Sequence, residues 1–564
     1  MRIPALITAA LTATALVSAG ASAAPGSAPG RFDAPHAGFA PAWTTVRTGT
    51  PASAGLDPGP LDEALRRVRA FTEPDPATGH PLYAGSVTLM AHEGVVVGQE
   101  AAGWAVRYSD GTAAELPADR RVPMTQDTIF DLASISKLFT SIAVMQQVEA
   151  GRVDLDAPVS RYLPEFGVNG KDAITVTQLL THTSGLEPFL PLWSDWPDVP
   201  ARIAAVMEVA PQATPGTTYV YSDLNLITLG VLVQRVSGSP LDVLVRDGIT
   251  APLNLTDTGY NPPVAKLDRI AATEFQTTPA RGMVRGQVHD ENAWSLGGVA
   301  GHAGVFSTAR DLAVLGQAVL NGGSYAGRRV LRQESVEKML TDYNTAFPQD
   351  SHGLGFELDQ RWYMGALASP RSAGHTGYTG TTLVLDPLSR SIAVLLTNRV
   401  HPSRTWGSIN PARRAVADGL ARSMAVRARQ GHDAWTPTTT GATLTTRELH
   451  GSGRVSFDAF VDLDEGDGVV LESSADGAAW TPVPLNVDGR EVLALSGAGT
   501  RRWVPVTARA PAGQLRWVYT RGAGYGGRGV YLDGIRVVGG RGLLLDAERE
   551  PQALTAVGWS PAHR

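Results

Sequence analysis

There is no cysteine among the 564 residues. A disulfide framework, a thiolate nucleophile and a lipid-bearing cysteine are therefore excluded. Charge is also scarce: charged residues make up 18% of the chain, and the net charge is −6 with a pI near 6.1. Without concentrated Lys and Arg to neutralise phosphates, nucleic acid is not expected as a partner. Past the N-terminal 23 residues no run is long and apolar enough to span a bilayer, so no membrane anchor is expected. No G-x-S-x-G occurs, which argues against a strand-to-helix nucleophile elbow. Walker loops, dinucleotide fingerprints and H-E-x-x-H helices are missing too, and no cofactor or metal is expected.

What is present begins with Arg2 and an apolar run over residues 3–17, ending in Ala21-Ser22-Ala23. Residues 1–23 read as a signal peptide cleaved before Ala24, which predicts a secreted, extracellular or cell-envelope protein. Residues 24–50 are rich in Ala, Pro and Gly without a period and read as a flexible leader. Helix and strand patterns then mix over 51–427, with an amphipathic segment from Leu61 and an alternating stretch at 86–104 broken by Glu93-Gly94, which predicts a β-hairpin. Residues 428–440, with a proline and a cluster of threonines, read as a linker. Over 441–564 short strand-like runs at 454–463, 468–472, 514–519 and 529–538 alternate with turn residues, predicting a β-sandwich.

The strongest local signal is Ser134-Ile135-Ser136-Lys137, followed by an apolar stripe of Ile135, Leu138, Phe139, Ile142, Met145 and Val148 and by Gly151. Three residues apart on a helix, Ser134 and Lys137 share a face. A serine hydroxyl needs a base nearby to attack a carbonyl, and a lysine serves if burial lowers its pKa. A helix N-terminus also favours a developing oxyanion. The pattern alone is not specific. Ser335-Val336-Glu337-Lys338 matches it as well, and reads as an exposed helical turn.

The first copy is set apart by its partners further along the chain. Tyr221-Ser222-Asp223 comes 87 residues later, and His375-Thr376-Gly377 a further 154. With these elements in this order the chain resembles the serine β-lactamase and penicillin-recognising enzymes, in the branch of class C β-lactamases, D,D-peptidases and family VIII esterases. The resemblance spans residues 52–426 and includes LPEF (163–166), LLTHTSGL (179–186), VHDENA (288–293) and GGVAGHAGVFSTARDLA (297–313).

It implies an α+β, β-lactamase/transpeptidase-like fold: an antiparallel sheet flanked by helices, a helical lobe, and a cleft between them. It also implies roles for individual residues. Ser134 is the nucleophile, and Lys137 and Tyr221 share the proton transfers, with either as principal base. The backbone N–H groups of Ser134 and Tyr378 form the oxyanion hole. Asp223, His375, Thr376 and Gly377 face the substrate, as do His289 and Asn292 if VHDENA is a substrate-facing loop and not a bracing network. His182 reads as structural, and His302 as either a cleft residue or a turn cap.

Two departures weaken a β-lactam substrate. Asp223 stands where asparagine is usual, and an ionised carboxylate cannot donate a hydrogen bond to a substrate carbonyl. Asn225, two positions on, faces elsewhere. His375 stands where lysine is common, which makes the charge there pH-dependent.

Beyond residue 440 the chain resembles jelly-roll modules appended to secreted hydrolases. Trp480, Trp503, Trp517 and Tyr519 are either core residues or a face for a glycan. Three functions are compatible with these features. The first is an acyl-enzyme hydrolase of peptidoglycan-derived peptides, as a D,D-carboxypeptidase or muramyl-peptide amidase. The second is a family VIII-type carboxylesterase on small esters. The third is a non-catalytic glycan- or peptide-binding protein on a hydrolase fold.

Overall fold

In the computed structural model, residues 31–464, 466–497 and 501–562 are described. The signal-peptide reading of residues 1–23 lies outside them.

The expected hairpin forms where Glu93 and Gly94 both adopt positive φ, 51° and 76°. Such a pair matches the right-handed twist of the strands it joins. It connects β2 (Gly85–His92) to β3 (Val95–Val106). With β1 (Arg47–Thr48), β4 (Glu357–Leu358), β5 (Ala373–Thr376), β6 (Thr381–Asp386) and β7 (Ser391–Thr397) they form a sheet in the order β1-β3-β2-β7-β6-β5-β4. Its ladders are antiparallel, except that β1 runs parallel to β3.

Alternate residues of the central strands serve two cores. Val87, Leu89, Ile392, Val394 and Leu396 enter the larger one, whereas Met90, Val384, Ala393 and Leu395 enter the other. A sheet covered on both faces needs apolar residues at successive positions, which is why these strands read as nearly continuous hydrophobic runs. One face carries α4 (Ala309–Leu320) and, beyond it, the helical lobe with α2 (Ser136–Glu149) and α3 (Asp223–Ser237). The opposite face carries α1 (Pro58–Ala70) and α5 (Asn410–Ser423), which pack on each other.

The C-terminal region is a two-sheet sandwich. One sheet is built around Gly453–Asp462, Trp503–Ala510 and Gly529–Gly539, the other around Gly468–Ser474, Gln514–Thr520 and Ala442–Thr446. Val455, Leu471, Val506, Trp517 and Leu532 fill the space between them.

Two boundary expectations need correction. The described part of the leader is anchored: Phe32 is buried, its N–H donates to Ala425, and Arg47 and Thr48 pair with β3. The aromatic ring and the strand pairing outweigh a composition typical of mobile chain. The linker is likewise structured. Ala434–Pro437 is a strand of the sandwich, and the N–H groups of Arg429 and Gln430 both donate to Asp533.

Of the aromatics singled out for glycan stacking, Trp517 is fully buried in the sandwich core and Trp503 donates from Nε1 to Asp33 between the two domains. Tyr519 is mostly buried, and Trp480 lies under the Arg516 guanidinium. They do not form one exposed face.

Candidate active site

Ser134 lies in a single 3-10 turn, Ala133–Ile135, that leads directly into α2. Ala133 is held at φ 48°, a conformation costly for a residue with a side chain. Asp131 holds the turn from beneath: Oδ1 accepts the Ala133 N–H at 2.9 Å and Oδ2 accepts the His289 N–H at 2.5 Å. The hydroxyl of Ser134 is thereby presented at the helix start, partly exposed above a buried base.

Lys137, one turn on, is almost fully buried, with Nζ 2.9 Å from Ser134 Oγ and 2.7 Å from Asp223 Oδ1. It also donates to the His302 carbonyl at 3.2 Å. Burial works to lower its pKa, but the Asp223 carboxylate and the Tyr221 oxygen outweigh that and leave it raised. Lys137 is therefore an ammonium at neutral pH, and the condition for a lysine base, a pKa lowered by burial, is not met. Tyr221 is pushed up to about 12 by burial, with Lys137 pulling the other way, and its hydroxyl reaches both Lys137 and Ser134.

The segment around Tyr221 is fixed by a buried histidine. His182 Nδ1 accepts the Ser222 N–H and an Asn225 amide hydrogen, each at 3.1 Å, and its ring lies 4.6 Å from the Tyr221 ring. Burial holds His182 well below its ordinary pKa, so it stays a neutral acceptor. The structural reading of His182 is thus the one seen. Asn225 bonds to His182 and Ser184 beneath the site, not in the cleft.

The opposite wall is β5. Gly377, just past its end, must be glycine: a Cβ there would collide with the Leu132 carbonyl oxygen and Thr381 Oγ1. The same close approach is tied by two hydroxyls, Thr379 Oγ1 to the Asp131 carbonyl (2.7 Å) and Thr381 Oγ1 to the Leu132 carbonyl (2.8 Å). Tyr378 is carried between these anchors beside the Ser134 turn. Its ring stacks on His289, 5.9 Å between centroids, and lies under Arg399. His375 is buried, with Nδ1 2.7 Å from the Thr376 carbonyl and an unpartnered Nε2. Burial, helped by the Lys137 charge, lowers it to about 3. The expected pH-dependent charge is corrected to a neutral imidazole across the physiological range.

A cleft of about 530 Å³ opens at Ser134, bordered by Tyr221, His375, Trp362, Glu357 and Arg413. The His289 and Asn292 side chains do not border it. His289 Nε2 binds Glu274 at 2.9 Å, and Asn292 Nδ2 donates to the Leu190 carbonyl at 2.7 Å. Both sit in the bracing network that was the other reading of VHDENA. In the same network Asp290 accepts from His302 Nε2 at 2.9 Å, beside Asp223. Ser335 of the second S-x-x-K is buried on a short helix, Gln333–Met339, while Lys338 points to solvent. Part of that turn is thus internal, and its two polar groups do not converge.

Sequence reasoning missed Asp131, Glu357, Trp362 and Arg413. Asp131 carried a faint signal, since an Asp two residues before a turn amide commonly accepts it. The other three come from β4, an adjoining helical turn and α5, elements whose meeting is a matter of tertiary packing.

A family profile described as "Beta-lactamase" matches residues 82–418. The chain belongs to the β-lactamase family. Among curated relatives of this β-lactamase-family protein is the "Putative D-alanyl-D-alanine carboxypeptidase" of Salmonella agona (strain SL483). It is 31% identical over 408 residues, covering 66% of this chain and 90% of the relative. Among solved structures, a penicillin-binding protein homologue from Caulobacter crescentus superposes with a TM-score of 0.51 at 24% identity, over 66% of this chain and 99% of that one. A class C β-lactamase gives 0.51 at 18% identity, over 66% and 97%. These two establish the fold. With the family they identify a serine hydrolase with the β-lactamase/transpeptidase architecture and a separate strand-rich C-terminal domain.

Proposed function

We propose that the protein is an exported D,D-carboxypeptidase-type hydrolase working through an acyl-enzyme on Ser134. The observation that carries this reading is the convergence on Ser134 Oγ of a charged Lys137 and the Tyr221 hydroxyl. Asp223 keeps the proton on Lys137, so Lys137 is not the resting base. The reactive form carries Tyr221 as the phenolate beside the Lys137 ammonium, which stabilises it; this phenolate takes the Ser134 proton and becomes a phenol as Oγ bonds to the substrate carbonyl carbon. The N–H groups of Ser134 and Tyr378 receive the oxyanion. Tyr221 returns the proton to the leaving amine as the C–N bond breaks. Water then releases the acyl group by the same steps in reverse.

The substrate reading rests on the name of the Salmonella relative and on the cleft wall. Arg413, neutral His375 and Thr376 offer a guanidinium and uncharged polar groups suited to the carboxylate of a terminal D-alanine. Export rests on the signal-like residues 1–23, and N-terminal sequencing of the secreted protein should begin at Ala24. The substrate test is incubation with muropeptides ending in D-Ala-D-Ala. One D-Ala per peptide should be released by the native enzyme and none by Ser134→Ala. If the native enzyme also releases none, this substrate is ruled out. A carboxylesterase on small esters is the second reading, favoured by Asp223 in place of an amide donor. Ser134-dependent turnover of short p-nitrophenyl esters without D-Ala release would select it.

A further inference from the structure

Trp362 borders the cleft on a short helix, Arg361–Met364. The sandwich reaches that helix directly at Arg361 and, by way of Arg414 on α5, at the Trp362 carbonyl. Arg361 donates to Asp462 Oδ1 at 3.1 Å, and Asp462, the buried last residue of its strand, also accepts the Arg528 N–H at 2.9 Å. Arg414 donates to the Trp362 carbonyl at 2.8 Å while its guanidinium lies 4.7 Å from the centre of the Tyr525 ring. Tyr525 projects from the glycine-rich loop of the sandwich, whose backbone is pinned by the Tyr525 N–H donating to Asp464 at 2.6 Å. Both contacts join the C-terminal domain to residues adjacent in sequence to cleft residues, Arg361 to Trp362 and Arg414 to Arg413. A shared core reinforces them, since Phe460 and Tyr531 of the sandwich belong to the same hydrophobic cluster as Tyr363 and Met364.

We propose that the C-terminal sandwich is a positioning element of the acyl cleft, with Asp462 and Tyr525 setting the placement of the Trp362 wall through Arg361 and Arg414. The inference rests on the reading of that cleft as the substrate site. Asp462 is a buried acceptor serving two donors, so removing its charge frees Arg361 and with it the helix turn that bears Trp362. Tyr525 supplies a cation–π face to Arg414, which then holds the Trp362 carbonyl.

The test uses the full-length protein and an aryl fluorophosphonate that phosphonylates Ser134, with labelling followed by mass spectrometry to separate KI from kinact. Asp462→Asn and Tyr525→Ala should each raise KI about threefold or more, within the range of coupling between contacting residues, with kinact unchanged. In a Trp362→Ala background the same substitutions should add nothing, because the residue they position is gone. Tyr525 is half-exposed, so its variant stays informative if Asp462→Asn folds poorly. Unchanged KI in Tyr525→Ala, or an increase that persists undiminished with Trp362→Ala, overturns the proposal. Failure of the native enzyme to label at Ser134 overturns instead the reading of the cleft on which it rests.

Discussion

Asp223 is the residue whose chemistry differs most from what its neighbours in the motif suggest. It fills the asparagine place but keeps a charge on Lys137 instead of offering a hydrogen to substrate. Asp223→Asn takes away the main influence holding the Lys137 pKa up. The alkaline limb of the kcat/KM profile, set by loss of the Lys137 proton, should therefore move to lower pH. A gain of activity on the acid side instead would make Lys137 the base. Gly377→Ala places a Cβ against the Leu132 carbonyl and should push the Tyr378 N–H out of place. The expected loss in kcat is about 100-fold, as for removal of one oxyanion donor.

Glu357 belongs at the same scale. Burial raises its carboxyl to about 7, against the nearby Tyr363, Arg413 and Lys137. An acid whose folded pKa lies above its unfolded one binds the proton more tightly when folded, so stability falls as pH rises from about 4.5 to about 7. Glu357→Gln removes that dependence. It should match the native protein at pH 4 and exceed it at pH 8, by up to about 3 kcal/mol, in urea unfolding. Equal stability differences at both pH values would show that the Glu357 pKa is the same in the folded and unfolded chain.

Among the elements, the nucleophile turn and the β5–β6 turn act as one piece. Thr379 and Thr381 fasten the latter to the carbonyls of Asp131 and Leu132. Thr381→Val keeps the shape but leaves the Leu132 carbonyl without its hydroxyl partner, at a cost of about 1–3 kcal/mol. It should lower kcat while leaving the Lys137-dependent pH limb in place. A shift in that limb would mean that the turn also positions Lys137.

Legibility from sequence differs between these elements for physical reasons. Helix α2 is readable because its apolar stripe and Gly151 are local, and the β2–β3 hairpin because Glu93-Gly94 is a turn signal. The order of the three motifs identifies the site because it reflects a chain path. The bracing role of His289 and Asn292 is not decidable in this way: one sequence gives no sign of whether a polar loop faces a cleft or Glu274 and Leu190. The charge states of Lys137 and His375 depend on burial and on Asp223, which only the folded chain supplies.

Over the whole molecule, the sandwich is visible in the sequence as alternating short strands, but its union with the hydrolase domain is not. Arg501, nearly fully buried, crosses into the hydrolase domain, donating to Asp386 Oδ2 at 2.5 Å and to the Leu367 carbonyl at 2.8 Å. Its guanidinium lies 4.1 Å from the centre of the Phe32 ring, which joins the N-terminal segment to the same seam. Arg501→Met strands the Asp386 charge and should cost about 3–5 kcal/mol in equilibrium unfolding. A loss below about 0.5 kcal/mol, typical of a surface substitution, would mean that the domains do not stabilise each other through this pair.

The most direct measurement is peptide mapping by mass spectrometry of the full-length protein after reaction with a fluorophosphonate or a β-lactam. A single adduct on Ser134, formed by the native enzyme, slowed strongly in Tyr221→Phe and absent in Ser134→Ala, is the expected result. An adduct on another residue, or one formed at the native rate without Tyr221, would contradict the acyl-enzyme account.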